Sequence, residues 1–142
     1  MFINIKLDDG AILPTKAHKT DAGFDLYAPE RFIIPPNKWD GGGVIDTGVH
    51  MLIPDGYVGM IKSKSGLNIK HDITTEGVID AGYTGSIVVK VYNYSSDEYV
   101  FEKGDKVTQI VIIPIANVEG FTLVDEFEDT ERGEDGFGSS GR

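Results

Sequence analysis

Glycine and proline punctuate this chain from end to end, and no other feature constrains its fold as strongly. The 18 glycines and 6 prolines are spread over all 142 residues, with short segments rich in Val, Ile, Tyr and Phe between them. Glycine and proline interrupt regular elements and make turns, whereas β-branched and aromatic residues suit a pleated surface. The pattern predicts many short strands with frequent turns. Phe2 to Leu7 alternates apolar and polar residues. Val44 to Ile53 follows a glycine triplet, Gly41 to Gly43, and runs to the turn Pro54-Asp55-Gly56. Tyr57 to Lys62 and Ile87 to Tyr92 read as further strands. Val107 to Ile115 is too continuously apolar for a strand with one wet face, and reads as buried on both sides or by another subunit. Phe121 to Val124 reads as a short late strand. Only Ser65 to Lys70 suggests a helix, of one or two turns, with Ser65 as its N-cap. The expected architecture is all-β, a sandwich or barrel of jelly-roll type with one short helix and no internal repeat.

The length suits one domain with a core that needs no metal or disulfide. The chain has no cysteine, which excludes a disulfide framework, a thiol nucleophile and a zinc-thiolate site. Its 13 basic and 23 acidic residues give a net charge of −10. So acidic a chain is poorly suited to bind DNA or RNA directly, which takes basic surface to displace counterions. A nucleotide remains a possible ligand, because a few Lys, Arg and backbone N–H groups with a divalent cation can hold a polyphosphate. The first sixteen residues lack the pattern of a signal peptide, and no apolar run approaches membrane-spanning length. The chain reads as soluble and cytoplasmic, with no membrane partner.

One compositional boundary falls at Asp125. Residues 1–124 form the expected folded domain. The remainder, DEFEDTERGEDGFGSSGR, has four glycines, two serines and many charges, and reads as a flexible C-terminal arm. Such a tail is ordinarily a frayed end. Yet its last part sets Phe137 among glycines, near two hydroxyls, between Arg132 and Arg142. Glycine lets backbone approach a phosphate, Ser and Arg supply donors, and an aromatic ring can stack on a base.

Four other segments invite chemistry. Gly77-Val78-Ile79-Asp80-Ala81-Gly82-Tyr83-Thr84-Gly85 reads as a hairpin, in which Asp80 is either a turn-capping residue or a functional carboxylate. Lys62-Ser63-Lys64-Ser65-Gly66-Leu67 sits where a strand meets a helix, as an ordinary exposed cap or as a phosphate cradle. In Asp21 to Pro29, Asp25 is either a solvated strand carboxylate or a group that orients a metal-bound water. In Lys103 to Ile113, Gln109 is an uncharged polar side chain within the apolar part of a strand, exposed or hydrogen-bonded. The histidines, His18, His50 and His71, have no metal-ligand spacing and read as surface or structural groups.

In this order, five segments resemble the motifs of the trimeric dUTPase family. They are AGFDLYAP at Ala22 to Pro29, IKSKSGL at Ile61 to Leu67, GVIDAGYTG at Gly77 to Gly85, KGDKVTQIVI at Lys103 to Ile112 and RGEDGFGSSG at Arg132 to Gly141. The resemblance implies a jelly-roll homotrimer with three sites at subunit interfaces. It also implies hydrolysis of dUTP to dUMP and pyrophosphate, which keeps uracil out of DNA and supplies dUMP for thymidylate synthesis. By that analogy Asp80 activates the attacking water. Backbone groups near Val78 and Asp80 read the uracil edge, Tyr83 lies against the deoxyribose, and Ile79 and Val88 also contact the substrate. Lys64, Ser65 and Gly66 of another subunit bind phosphates with Gln109, and Thr74 completes the substrate-contacting set. The arm of a third subunit closes over the site, with Phe137 on the base and Arg132, Gly138, Ser139 and Ser140 at the phosphates. Mg²⁺ is the implied cofactor, carried by phosphate oxygens, with Asp25 acting on it only through water.

Two positions depart from the family pattern. Lys64 stands where Arg is usual, which keeps charge but loses bidentate geometry. Asp135 stands near the expected phosphates. Two alternatives compete. A dCTP deaminase shares the fold, but its glutamate on the strand after the hairpin is replaced here by Lys90. A non-catalytic trimeric regulatory module is the other, and it sits poorly with retention of both Asp80 and Phe137.

Overall fold

The computed structural model describes residues 1–36, 42–138 and 140–141. Among them are nine strands and one helix: β1 (Asn4–Leu7), β2 (Phe24–Tyr27), β3 (Phe32–Ile34), β4 (Gly43–Leu52), β5 (Tyr57–Lys62), α1 (Ser65–His71), β6 (Ile73–Ile79), β7 (Ser86–Asn93), β8 (Tyr99–Phe101) and β9 (Lys106–Pro114). Seven strands form one antiparallel sheet in the order β1-β4-β7-β6-β5-β9-β2, and β3 pairs with β8 separately. The curled sheet is a distorted jelly roll, the all-β class that the punctuated sequence predicts.

The core comes from period-two patterning. On β7, Ile87, Val89, Val91 and Asn93 turn inward while Val88 stays exposed. Leu26, Ile34, Ile45, Ile53, Ile61, Ile73, Phe101 and Ile110 complete a nearly solvent-free interior. Its polar groups are answered, as burial demands. Thr47 Oγ1 donates to the Ile87 carbonyl at 2.7 Å, Thr75 and Thr108 share a hydrogen bond of 2.7 Å, and Asn93 Nδ2 donates to the Ile34 and Asp97 carbonyls.

Two local expectations need correction. Phe121 to Val124 is not a strand; residues 113–138 are exposed, and among the described residues no strand pairs with this segment. The helix cap is Lys64 rather than Ser65, and no side chain caps that end. The helix closes at Asp72, in the left-handed region at φ 54°, with its N–H on the Asn68 carbonyl. In the single subunit the long strand β9 is buried on both sides in its first half, and Ile113 near its end is 39 % exposed. Sequence reading also passed over β3 and β8, each only three residues long.

Candidate active site

The hairpin β6–β7 is paired at its base and open at its tip. Pairing runs from Ile73 opposite Asn93 to Glu76 opposite Lys90, and stops. Beyond that point Gly77, Val78 and Ile79 pair with β5, while Ser86 and Val88 pair with His50 and Asp46 of β4. The same register carried further would set Val78 against Val88 and Asp80 against Ser86. The two strands part instead, although each stays paired with its outer neighbour. The gap is a pocket of about 310 Å³ lined by Val78, Ile79, Asp80, Tyr83, Ser86 and Val88. Its strand edges keep backbone donors and acceptors that a planar ligand with its own hydrogen-bonding edge can meet. Val78 and Val88, 58 % and 49 % exposed, give it apolar walls.

The tip is a closed turn. The Tyr83 N–H donates to the Asp80 carbonyl at 3.2 Å, and the Gly82 N–H to the Ile53 carbonyl at 3.1 Å. Gly82 sits at φ 78°, a conformation that side chains resist. Tyr83 Oη donates to the Ser86 carbonyl at 3.1 Å, laying the ring across Gly85. A Cβ at Gly85 would lie 2.2 Å from that hydroxyl oxygen, so a residue without a side chain is needed there. The Asp80 side chain is exposed on the pocket wall.

A second cluster gathers Asp25, Lys64, Lys106 and Gln109. Asp25 on β2 faces Gln109 on β9 and is 4 % exposed. Lys64 Nζ donates to one of its oxygens, and Lys106 Nζ lies 2.7 Å from the other. Burial alone pushes the Asp25 carboxyl up, but hydrogen bonds from Lys106 and Lys64 outweigh it and hold the group below its ordinary value. The same contact raises the Lys106 ammonium. The cluster is therefore one carboxylate and two cations, a local excess of one positive charge on an acidic protein. Each ammonium has three N–H groups, so it can serve Asp25 and an anion together. Gln109 Nε2 donates to the Ser63 carbonyl at 3.1 Å. Ser65 and Gly66 are exposed at the start of α1, and Thr74 Oγ1 accepts from Asn68 Nδ2 at 2.9 Å.

The expected residues therefore fall into three groups. Val78, Ile79, Asp80, Tyr83 and Val88 share the pocket. Lys64, Asp25 and Gln109 share the charged cluster. Asp25 is buried and doubly paired, not a solvated strand carboxylate. The described tail residues join neither group: Phe137 is fully exposed, and Arg132 Nε donates to the nearby Asp135 carbonyl. Gly138 and Ser140 are exposed too, while Ser139 and Arg142 lie outside the described residues. Sequence reading missed Gly85, Ser86 and Lys106, although each lies in or beside a quoted motif. It also missed Asp46, whose carboxylate accepts from Ser86 Oγ. That pairing across forty residues has no local signal. A larger cavity of about 360 Å³, lined by residues such as Phe2, Leu13, Phe24 and Ile112, holds no titratable side chain.

Among the described residues no helix is long and apolar enough to cross a membrane. The family model for dUTPase matches residues 9–141. A deoxyuridine 5'-triphosphate nucleotidohydrolase from Clostridioides difficile is 39 % identical over 139 residues, covering 96 % of this chain and 94 % of the relative. One from Saccharomyces cerevisiae is 38 % identical over 132 residues, covering 92 % and 88 %. Among solved structures, the Staphylococcus bacteriophage 80alpha dUTPase with dUpNHpp superposes with a TM-score of 0.85 at 33 % identity, covering 99 % of both chains. A mutant dUTPase from phage phi11 of S. aureus, described for its coordination of a structural Mg(II) ion, gives 0.81 at 30 % identity, covering 91 % of this chain and all of the other. With a family match over nearly the whole chain and relatives of this identity, the protein belongs to the dUTPase family.

Proposed function

We propose that the protein is a dUTP diphosphatase, and the observation that carries this reading is the opened β6–β7 hairpin with Asp80 and Tyr83 on one pocket. Uracil is planar and offers alternating acceptors and a donor along one edge, which strand edges freed from pairing can read. Deoxyribose packs against Tyr83, whose ring leaves no room for a 2′-hydroxyl. Asp80 accepts a proton from a water, and that water attacks the α-phosphorus in line. A new P–O bond forms, the bond to the α–β bridging oxygen breaks, and pyrophosphate leaves. Lys64, Ser65, Gly66 and Gln109 hold the phosphates, with Thr74 nearby.

Among the described residues no group of three or more His, Cys, Asp or Glu side chains could hold a metal. That donor set fits an ion carried by the triphosphate itself. Asp25 spends one lone pair of each oxygen on a lysine and keeps others for an ion-bound water. Bound Mg²⁺ would neutralise phosphate charge, and on so acidic a protein it also eases the approach of a polyanion.

We further propose a homotrimer in which the arm 125–142 of one subunit closes over a neighbour's pocket. Arg132, Gly138, Ser139 and Ser140 would then meet phosphates while Phe137 stacks on uracil. Exposed apolar side chains such as Phe2, Leu13, Ile113, Phe121 and Leu123 are what such an assembly would cover. A nucleoside triphosphate substrate goes with a cytoplasmic location and no nucleic-acid or membrane partner. The test is a panel of dUTP, dCTP, dTTP and UTP, with and without Mg²⁺. Pyrophosphate from dUTP alone is expected; uracil formed from dCTP would overturn the reading.

A further inference from the structure

β4 carries a bulge beside the hairpin tip. Its pairing with β7 slips between Asp46 and His50, and a bulge re-aims the side chains that flank it. Here both reach the hairpin. Asp46 takes the Ser86 hydroxyl. The His50 ring lies between two oxygens: Nδ1 is 2.8 Å from the Thr84 carbonyl oxygen, and Nε2 is 3.0 Å from Asp8 Oδ2. A carbonyl and an ionised carboxylate can only accept, so both ring nitrogens must carry protons for both bonds to form. Only the imidazolium does so. Asp8 is itself anchored, its N–H donating to the Gly48 carbonyl at 2.9 Å. The ring is thus a strap from the hairpin tip to the chain just after β1.

We infer that protonated His50 is a positioning residue for the substrate hairpin, holding Thr84 and with it the Asp80–Ser86 tip in the open geometry of the nucleoside pocket. This rests on the reading of that pocket as the deoxyuridine site. Thr84 adjoins Tyr83 and lies four residues from Asp80, so its placement bears on both. The hydrogen bond to Asp8, and next that to Thr84, raises the His50 pKa; Asp46 also favours the cation, and Lys6, opposite His50 on β1, opposes it. A neutral ring has one N–H for two acceptors and sets a lone pair against the other oxygen. The strap is therefore complete below the ordinary histidine value of about 6.5 and is lost as pH rises through the raised one. If protonation and nucleotide favour the same tip geometry, each strengthens the other by the same factor.

The test follows the His50 ring by NMR through a pH titration of the full-length protein, with and without saturating dUMP, beside His50→Gln and Asp8→Asn. Turnover of dUTP is measured first. No turnover sinks the function; turnover with an indifferent His50 sinks the inference alone. The expected result is titration above the ordinary value, raised further by dUMP and lowered in Asp8→Asn. Wild-type affinity for dUMP should drop about threefold more than that of His50→Gln between the acid and alkaline sides, a moderate linkage. A His50 titration that dUMP leaves unmoved, or identical pH dependence in wild type and His50→Gln, overturns the proposal. Asp8→Asn keeps the ring and the Thr84 contact, so it serves should His50→Gln not fold. In Asp8→Asn the pH at which KM for dUTP rises should move down with the ring's titration. A purely structural role would change melting and leave that profile in place.

Discussion

Gly85→Ala adds one methyl group at the mouth of the proposed nucleoside pocket. Its carbon would lie 2.2 Å from Tyr83 Oη and 2.4 Å from Cζ. Gly85 is outside the left-handed region, so alanine adds no backbone strain. The clash falls on the far end of a side chain that is 47 % exposed. The phenol must retreat by about 1.2 Å to reach the 3.4 Å of ordinary contact, and solvent gives it room. The fold then loses little more than the hydrogen bond from Tyr83 to the Ser86 carbonyl, about 1 kcal/mol. Function loses more, because the role proposed for Tyr83 requires it to stand in one place. A misplacement of about 1 Å can cost on the order of 100-fold. The expectation is a roughly 10- to 100-fold fall in kcat/KM for dUTP and a similar collapse of preference over UTP, whose 2′-hydroxyl no longer meets a wall. The assay is kcat/KM for both nucleotides beside a thermal melt. A near-normal melt with an unchanged dUTP-to-UTP ratio would refute the assignment of Tyr83 as the sugar gate.

Other outcomes follow from the same geometry. Asp80→Asn should fold and bind dUMP normally while turnover drops by about 10²- to 10⁴-fold; normal turnover would remove Asp80 from the role of base proposed for it. Deleting 132–142 should leave the melting curve unchanged, since the described part of that stretch is exposed, yet cut dUTP hydrolysis sharply; full activity would make the arm a frayed end. Asp25→Asn leaves two ammonium groups without their carboxylate. Breaking a buried pair costs about 3–5 kcal/mol, but the Lys64 and Lys106 side chains are 28 % and 43 % exposed and can rehydrate, so about 2 kcal/mol is expected at neutral pH. Because the Asp25 carboxyl is held below its ordinary value, that advantage is present above about pH 4 and fades as pH falls through the folded-state value. Urea midpoints of wild type and variant should converge in acid, and a constant gap would contradict the ion cluster.

Much of the fold was legible because strands advertise themselves by alternation. Tyr57 to Lys62 was read with its observed bounds, and Ile87 to Tyr92 lies within β7. What failed was whatever depends on a partner. Phe121 to Val124 has strand composition but pairs with no strand among the described residues, and it is exposed. Ser65 has the chemistry of an N-cap, yet the backbone enters the helix one residue earlier. The two three-residue strands were invisible because so short a run carries no period.

The same division runs through the site. The order of residues by itself determined that the chain is all-β, that Asp80 and Tyr83 share one hairpin, and that a lysine stands in the segment before the helix. Local chemistry and period-two patterning carry such information within a few residues of sequence. Only the tertiary structure decided that this hairpin is open. There β6 stays paired with β5 and β7 with β4 while their pairing with each other stops, an arrangement of four strands that no short segment records. It also decided that Asp25 lies buried between Lys64 and Lys106, and that His50 reaches Thr84. Those contacts join residues thirty or more positions apart, and only folding brings them within hydrogen-bonding distance.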